Sequence, residues 1–166
     1  MPVSEQGVTR DRFMVIPRTL IFLRRGTSYL LLKGAPTKRL WADRYNGIGG
    51  HIERSEDVLS AARRELLEET GLSADMWLAG TLLVDTQQNI GICVFVLTGE
   101  CNSGEPLPSK EGLAEWVSFA EVEQLPVVPD VPVLLARLHG MKRGDPPFSA
   151  RSYYDEQEVL QVIFSQ

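Results

Sequence analysis

Residues 49–72 read GGHIERSEDVLSAARRELLEETGL, and the rest of the chain is read outward from them. Glu65, Glu68 and Glu69 stand three and four positions apart. A helix turning about 3.6 residues at a time puts all three carboxylates on one face. The surrounding residues predict that helix. Ser55 or Asp57 serves as N-cap, and Glu56 and Asp57 suit the positive end of the helix dipole. Val58, Leu59, Ala62 and Leu66 recur at helical spacing and form an apolar stripe. Thr70-Gly71 ends the helix, with Gly71 in the left-handed conformation.

The carboxylates are poorly placed for stability. The helical neighbours of Glu65 are Ala61, Ala62, Glu68 and Glu69, and those of Glu69 are Glu65, Leu66, Leu72 and Ser73. Only Glu68 has a cationic neighbour, Arg64. Like charges four apart cost about 0.2–0.5 kcal/mol. Anions near a helix C-terminus oppose the dipole by roughly 0.3–1 kcal/mol. A bound hard cation such as Mg²⁺ or Mn²⁺ would remove these penalties, because such ions take oxygen ligands. A solvated acidic helix end is the alternative.

The flanking residues choose between the two. Gly50, five residues, Glu56, seven residues, Arg64-Glu65-Leu66, one residue, Glu68-Glu69, one residue and Gly71-Leu72 match the Nudix box at every specified position. The chain therefore resembles the Nudix hydrolase superfamily, and within it the MutT-like branch. The resemblance implies an α/β fold: a Nudix α/β/α sandwich with a central mixed β-sheet and a loop–helix–loop at the box. It also implies metal ions held by the glutamates and attack of water on a phosphorus.

Composition is consistent with this. The chain has 166 residues, 43% hydrophobic and 23% charged, with a net charge of −5. These values fit a soluble globular domain. The negative charge argues against a nucleic-acid polymer as partner. A phosphate substrate would need local cations. Cys93 and Cys101 show no metal-site or redox spacing, and Cys93, in an apolar run, reads as a buried thiol. The N-terminus has no apolar signal core, and no run approaches membrane-spanning length. The expected compartment is the cytoplasm, and the expected assembly a monomer or homodimer.

Residues 1–11 read as a flexible tail and 12–166 as one Nudix domain. Strands are expected at 13–23, with Pro17 marking an edge or a bulge, and at 29–33. Residues 34–46 read as a loop. Strands follow at 76–86, 90–98 and 113–119, then a second helix at 133–141 and a hairpin of 151–154 with 159–164.

By resemblance, Arg64 orients a catalytic glutamate, and Glu56 bonds to that arginine or supports the metal shell together with Gly50. Gly49 matches a position whose carbonyl ligates metal in MutT-like members. Metal would be held by Glu65, Glu68 and Glu69 with the Gly49 carbonyl, and either Glu65 or Glu68 would accept a proton. A further carboxylate is expected from a later loop. Glu111, five residues before Trp116, is the first choice, with Glu115 and Glu105 as rivals. Tyr45-Asn46-Gly47-Ile48-Gly49-Gly50 resembles the W-N-G-x-G-G run of the oxidised-purine nucleotide sanitisers, with Tyr45 in place of tryptophan. There the asparagine bonds the purine, so Asn46 is a candidate base contact or a turn cap. Asp130 is a second, or a helix cap. Trp41 or Leu40 would pack on the base, and Lys33, Lys38 or Arg39 would touch phosphate. The implied function is Mg²⁺-dependent cleavage of a nucleoside triphosphate, 8-oxo-dGTP-like or otherwise, to monophosphate and pyrophosphate. The alternatives are a Nudix hydrolase of another nucleoside diphosphate derivative (ADP-ribose, dinucleoside polyphosphate or nucleotide sugar) and a non-catalytic nucleotide sensor.

Overall fold

The computed structural model describes residues 2–166; Met1, the first residue of the expected tail, lies outside the described residues. All eight strands join one mixed sheet. They are β1 (Met14–Arg25), β2 (Ser28–Gly34), β3 (Tyr45–Asn46), β4 (Trp77–Val84), β5 (Ile90–Glu100), β6 (Gly112–Ser118), β7 (Phe148–Tyr154) and β8 (Leu160–Phe164). The order is β3-β2-β1-β5-β4-β7-β8, with β6 paired to β2. β1 runs parallel to β5 from Met14–Ile90 to Arg24–Glu100, and β4 runs parallel to β7. The remaining strand pairs are antiparallel.

Two helices cover the sheet. α1 (Val58–Thr70) buries Ala61, Ala62 and Leu66 on one face, against Ile21, Leu23, Leu30 and Leu97. α2 (Val131–His139) buries Val131, Leu134, Leu135 and Leu138 on the other, against Phe22, Leu31, Leu82 and Val96. Strand side chains alternate between faces, so Ile21 meets the α1 core and Phe22 the α2 core. This is the sandwich the sequence implied.

α1 begins at Asp57, whose side chain accepts from the Ser60 amide at 2.9 Å. It ends at Gly71 with φ of 72°. Thr70 secures that end: its hydroxyl donates to the Leu66 carbonyl at 2.6 Å and accepts from the Leu72 amide at 3.1 Å.

Pro17 marks neither a sheet edge nor a recorded register shift: it pairs with Cys93 inside the parallel ladder. Thr19 and Ile21 donate away from β5, to Gly50 and Ile48, and Pro17 shares their parity. Its missing donor therefore faces segment 48–52, where its carbonyl still accepts from Ile52. The strand expected at 13–23 runs on to Arg25 because its last two residues start the turn into β2. Phe119, expected to end a strand, instead opens a 3-10 turn over Phe119–Gln124. Cys93 is half-buried rather than buried, Cys101 is the buried thiol, and both are free.

Leu66, 1% exposed, is the main apolar anchor of α1. Leu66→Ala should cost about 2–5 kcal/mol of stability in urea unfolding, the usual range for a buried leucine.

Candidate active site

β1 and β2 are hydrogen-bonded only at Arg24–Tyr29 and Arg25–Ser28, then part. Segment 48–52 enters the gap and runs antiparallel to β1, with bridges Ile21–Ile48 and Arg18–His51. Gly49 and Gly50 are the residues that make this approach possible. A Cβ at Gly49, where φ is 152°, would strike the Thr19 carbonyl. A Cβ at Gly50 would lie 2.5 Å from Glu65 Oε1. The Glu65 carboxylate thus sits directly against the glycine backbone.

Arg64 organises the box. Its Nε and Nη2 take both oxygens of Glu56 at 2.6 and 2.9 Å, and Nη2 also reaches the His51 carbonyl at 3.1 Å. Nη1 donates to Glu65 at 2.9 Å and to Glu68 at 3.4 Å. The bonds to Arg64 and to the Glu53 amide hold the Glu56 carboxyl down at about 2, and the bonds to Glu56 and then Glu65 raise Arg64. One sequence expectation is corrected here. Glu65 does have a cationic partner, although residues i and i+1 of a helix do not face each other. Arg64 reaches it because Glu56 and His51 draw the guanidinium back across the glutamate face.

Glu69 has no such relief. It is 7% exposed, and its Oε2 is buried without a hydrogen-bond partner. Burial first, then the charge of Glu65, pushes its carboxyl up to about 8. Glu111 adds to this, while Lys38 and the Gly49 amide act the other way.

A cleft of about 710 Å³ opens beside Glu69. Gly49, Gly50 and Glu111 line it, as do Asn46, Asp130, Trp41 and Leu40. Leu20, Val84, Ile92 and Val94 supply an apolar floor from β1, β4 and β5. Glu111 is the late-loop carboxylate that reaches this space, where Lys38 Nζ pairs with it at 3.0 Å. Its rivals are engaged elsewhere: Glu115 accepts from the Tyr45 hydroxyl at 2.8 Å, and Glu105 from Arg25 at 2.8 Å. Glu68 lies outside the cleft lining, with its side chain 60% exposed. Asn46 accepts the Gly47 amide at 2.8 Å on Oδ1. Asp130 stands at the N-cap of α2 but makes no side-chain cap bond. Its Oδ1 is buried without a partner, and burial raises its carboxyl.

Lys33 is a correction. It lies over the Tyr45 ring, 6.0 Å from the centroid, and is not part of the cleft lining. Strand alternation sends Leu32 and Gly34 into the cleft and Lys33 away from it. The cations that do line it are Arg18, Lys38, Arg39, Arg44 and Lys110. Arg18 had no place in the sequence reading, although it shares the strand parity of Leu20. The C-terminal hairpin extends the sheet beyond β4 and contributes nothing to the cleft wall.

The family model for the NUDIX domain matches residues 14–138. This chain belongs to the Nudix family. It is 32% identical over 104 residues to an oxidized purine nucleoside triphosphate hydrolase of Danio rerio, a match covering 55% of this chain and 60% of that protein. A Mus musculus protein of the same name is 29% identical over 112 residues, covering 60% of this chain and 65% of that protein. The matched segments span a little under two thirds of these relatives. The crystal structure of a MutT protein from Bacillus halodurans superposes with a TM-score of 0.74 at 22% identity, covering 90% of this chain and 97% of that one. That likeness is one of fold.

The residues fit the divalent ion that the family implies. The acidic side chains here offer hard carboxylate oxygens, and the buried Oε2 of Glu69 lacks any partner. Among the described residues, no three acidic, histidine or cysteine side chains converge tightly enough to hold a metal in this arrangement. Arg64 holds Glu65 and Glu68, and Lys38 holds Glu111.

Glu69 has a pH signature. Its folded pKa of about 8 lies above its ordinary 4.5, so the folded state keeps a proton that the unfolded chain loses. Stability without metal should therefore fall as pH rises from about 4.5 to 8, by on the order of 5 kcal/mol. Glu69→Gln should remove this slope, so in EDTA the variant should gain on the wild type between pH 5 and 9. Parallel melting curves for the two proteins would show otherwise.

Proposed function

We propose that this protein is a Mg²⁺-dependent Nudix pyrophosphohydrolase that cleaves a purine nucleoside triphosphate, including oxidised forms, to the monophosphate and pyrophosphate. The observation that carries this reading is the buried, unpartnered Glu69 carboxylate at a cleft lined by Gly49, Glu111 and base-sized apolar surface. Family membership and the names of the curated relatives support it.

Glu65, Glu69, Glu111 and the Gly49 carbonyl would hold the ion. When bound, it supplies neutralisation of phosphate charge and acidification of water. The chain's own residues do the rest. Arg64, fixed by Glu56, orients Glu65 against Gly50. Lys38, Arg39 and Lys110 add positive charge to the phosphate side of the cleft. Glu65 is the better placed proton acceptor, because its carboxylate lies against Gly50 of the cleft lining, whereas the Glu68 side chain is 60% exposed. Trp41 and the Leu20–Val94 floor would hold the base, with Asn46 and Asp130 at its edge. The free thiols suit a reducing, cytoplasmic setting. Among the described residues no helix is long and apolar enough to cross a membrane.

Release of pyrophosphate from a panel of nucleoside triphosphates, with and without Mg²⁺, tests the reading. Glu69→Gln should lower kcat by at least about a hundredfold, the scale of losing one preorganised electrostatic group. Near-wild-type turnover would remove the assignment. Asp130→Ala should lower kcat/KM for the preferred purine by about ten- to a hundredfold, as for loss of a buried hydrogen bond. An equal effect on every base would show that Asp130 does not read the base.

A further inference from the structure

Arg18 differs from the paired cations of the molecule. Arg24, Arg25, Arg64, Arg143 and Lys38 each pair with a carboxylate. Arg18 has no such partner among the described residues, although the chain carries a net charge of −5. It is half-buried on the cleft wall. A cation on the cleft wall without a counter-ion is open to an arriving anion.

The guanidinium is also held in place. Arg18 faces His51 across the bridge between β1 and segment 48–52, and its Nε donates to His51 Nε2 at 3.2 Å. That bond uses Nε and leaves both terminal amino groups without a protein acceptor. They form a planar fork of the kind that takes two phosphate oxygens at once. Its place along β1 indicates which phosphate. Leu20, two residues on, lies on the apolar floor. Thr19, between them, grips Gly50 through its amide at 2.8 Å and its hydroxyl at 3.4 Å. An anion on Arg18 would lie between the base floor and the glycine segment against which Glu65 packs.

We propose that Arg18, oriented by His51, binds the phosphate attached to the nucleoside and is a specificity-determining residue for nucleotides over nucleosides. This rests on the nucleotide reading of the cleft given above. Arg18 grips a group present in both substrate and monophosphate product. It therefore contributes uniform binding, which appears in KM more than in kcat.

The test is calorimetric titration of the full chain with dGMP, deoxyguanosine and inorganic pyrophosphate, in wild type, Arg18→Ala, Arg18→Lys and His51→Ala. Arg18→Ala should weaken dGMP binding by about ten- to a hundredfold, the usual range for a hydrogen-bonded charge. Pyrophosphate binding and the melting temperature should stay unchanged. Arg18→Lys should recover part of the loss, and His51→Ala should show a smaller loss in the same direction. Equal dGMP affinity in wild type and Arg18→Ala would overturn the proposal. So would a wild type that binds dGMP no better than deoxyguanosine. The titration needs no turnover. If dGMP binding depends on Arg18 but no triphosphate is cleaved, only the hydrolase reading fails. If triphosphates are cleaved and Arg18→Ala leaves both KM and dGMP affinity unchanged, only the Arg18 assignment fails.

Discussion

The parting of β1 from β2 is the constraint on which the site depends. A hairpin paired at only two positions leaves a row of β1 donors and acceptors open, and buried backbone groups must find partners. Segment 48–52 supplies them: the Thr19 and Ile21 amides bond to Gly50 and Ile48, and the Ile48 and Ile52 amides bond back to Ile21 and Pro17. The repair works only with glycine where the segment is squeezed. Gly49 is pressed on the β1 backbone, and Gly50 on the Glu65 carboxylate. The cleft is therefore built into the sheet itself, and Glu65 and Glu69 are positioned by the helix rather than by a free loop.

Charge is resolved on one side of this junction and left open on the other. Arg64 spans loop and helix, so Glu56, Glu65 and Glu68 share one guanidinium. Glu69, one turn beyond Glu65, lies past its reach and is buried. Across the cleft lining, Arg18 has the opposite problem, a cation without an anion. A polyphosphate carrying a divalent cation would complement both. The two residues together point to such a ligand more strongly than either alone, because a buried carboxyl or a lone cation by itself could be a tolerated cost of folding.

Much of this was legible in the sequence. The helix, its Asp57 cap and its Gly71 stop follow from local chemistry, and the structure keeps all three. The seven strands read from β-rich runs and turns all lie within a few residues of observed ones, and β3 alone falls in a stretch read as a loop. What escaped depended on long-range pairing. Pro17 argued for an edge because local rules cannot show that its missing donor faces the end of segment 48–52. Glu65 looked unpaired because the position of Arg64 is fixed by Glu56 and His51, far along the chain from the helix face. Lys33 looked useful because it is near the box in sequence, whereas strand parity turns it away. Arg18 was open to discovery by the same parity rule, since it alternates with Leu20 and Phe22.

The chemistry of the lining decides what such a cleft can discriminate. Its floor is aliphatic, and aliphatic contact separates similar bases weakly, by about 1–3 kcal/mol per methylene-sized difference. Discrimination must then come from groups that suffer when left unpaired. The Gly47 amide holds the Asn46 oxygen, which orients the NH₂ as a free donor to an acceptor on the ligand. Asp130 makes no cap bond, and its buried Oδ1 waits for a donor. Burial favours its protonated form, which donates as well as accepts. A base that offers one acceptor to Asn46 and a matched edge to Asp130 satisfies both groups; a base that lacks either leaves a buried polar atom stranded, at about 1–3 kcal/mol. On the proposed nucleotide reading, selectivity would thus rest on two hydrogen-bonding side chains, set by the β3 turn and the start of α2, rather than on the shape of the cleft.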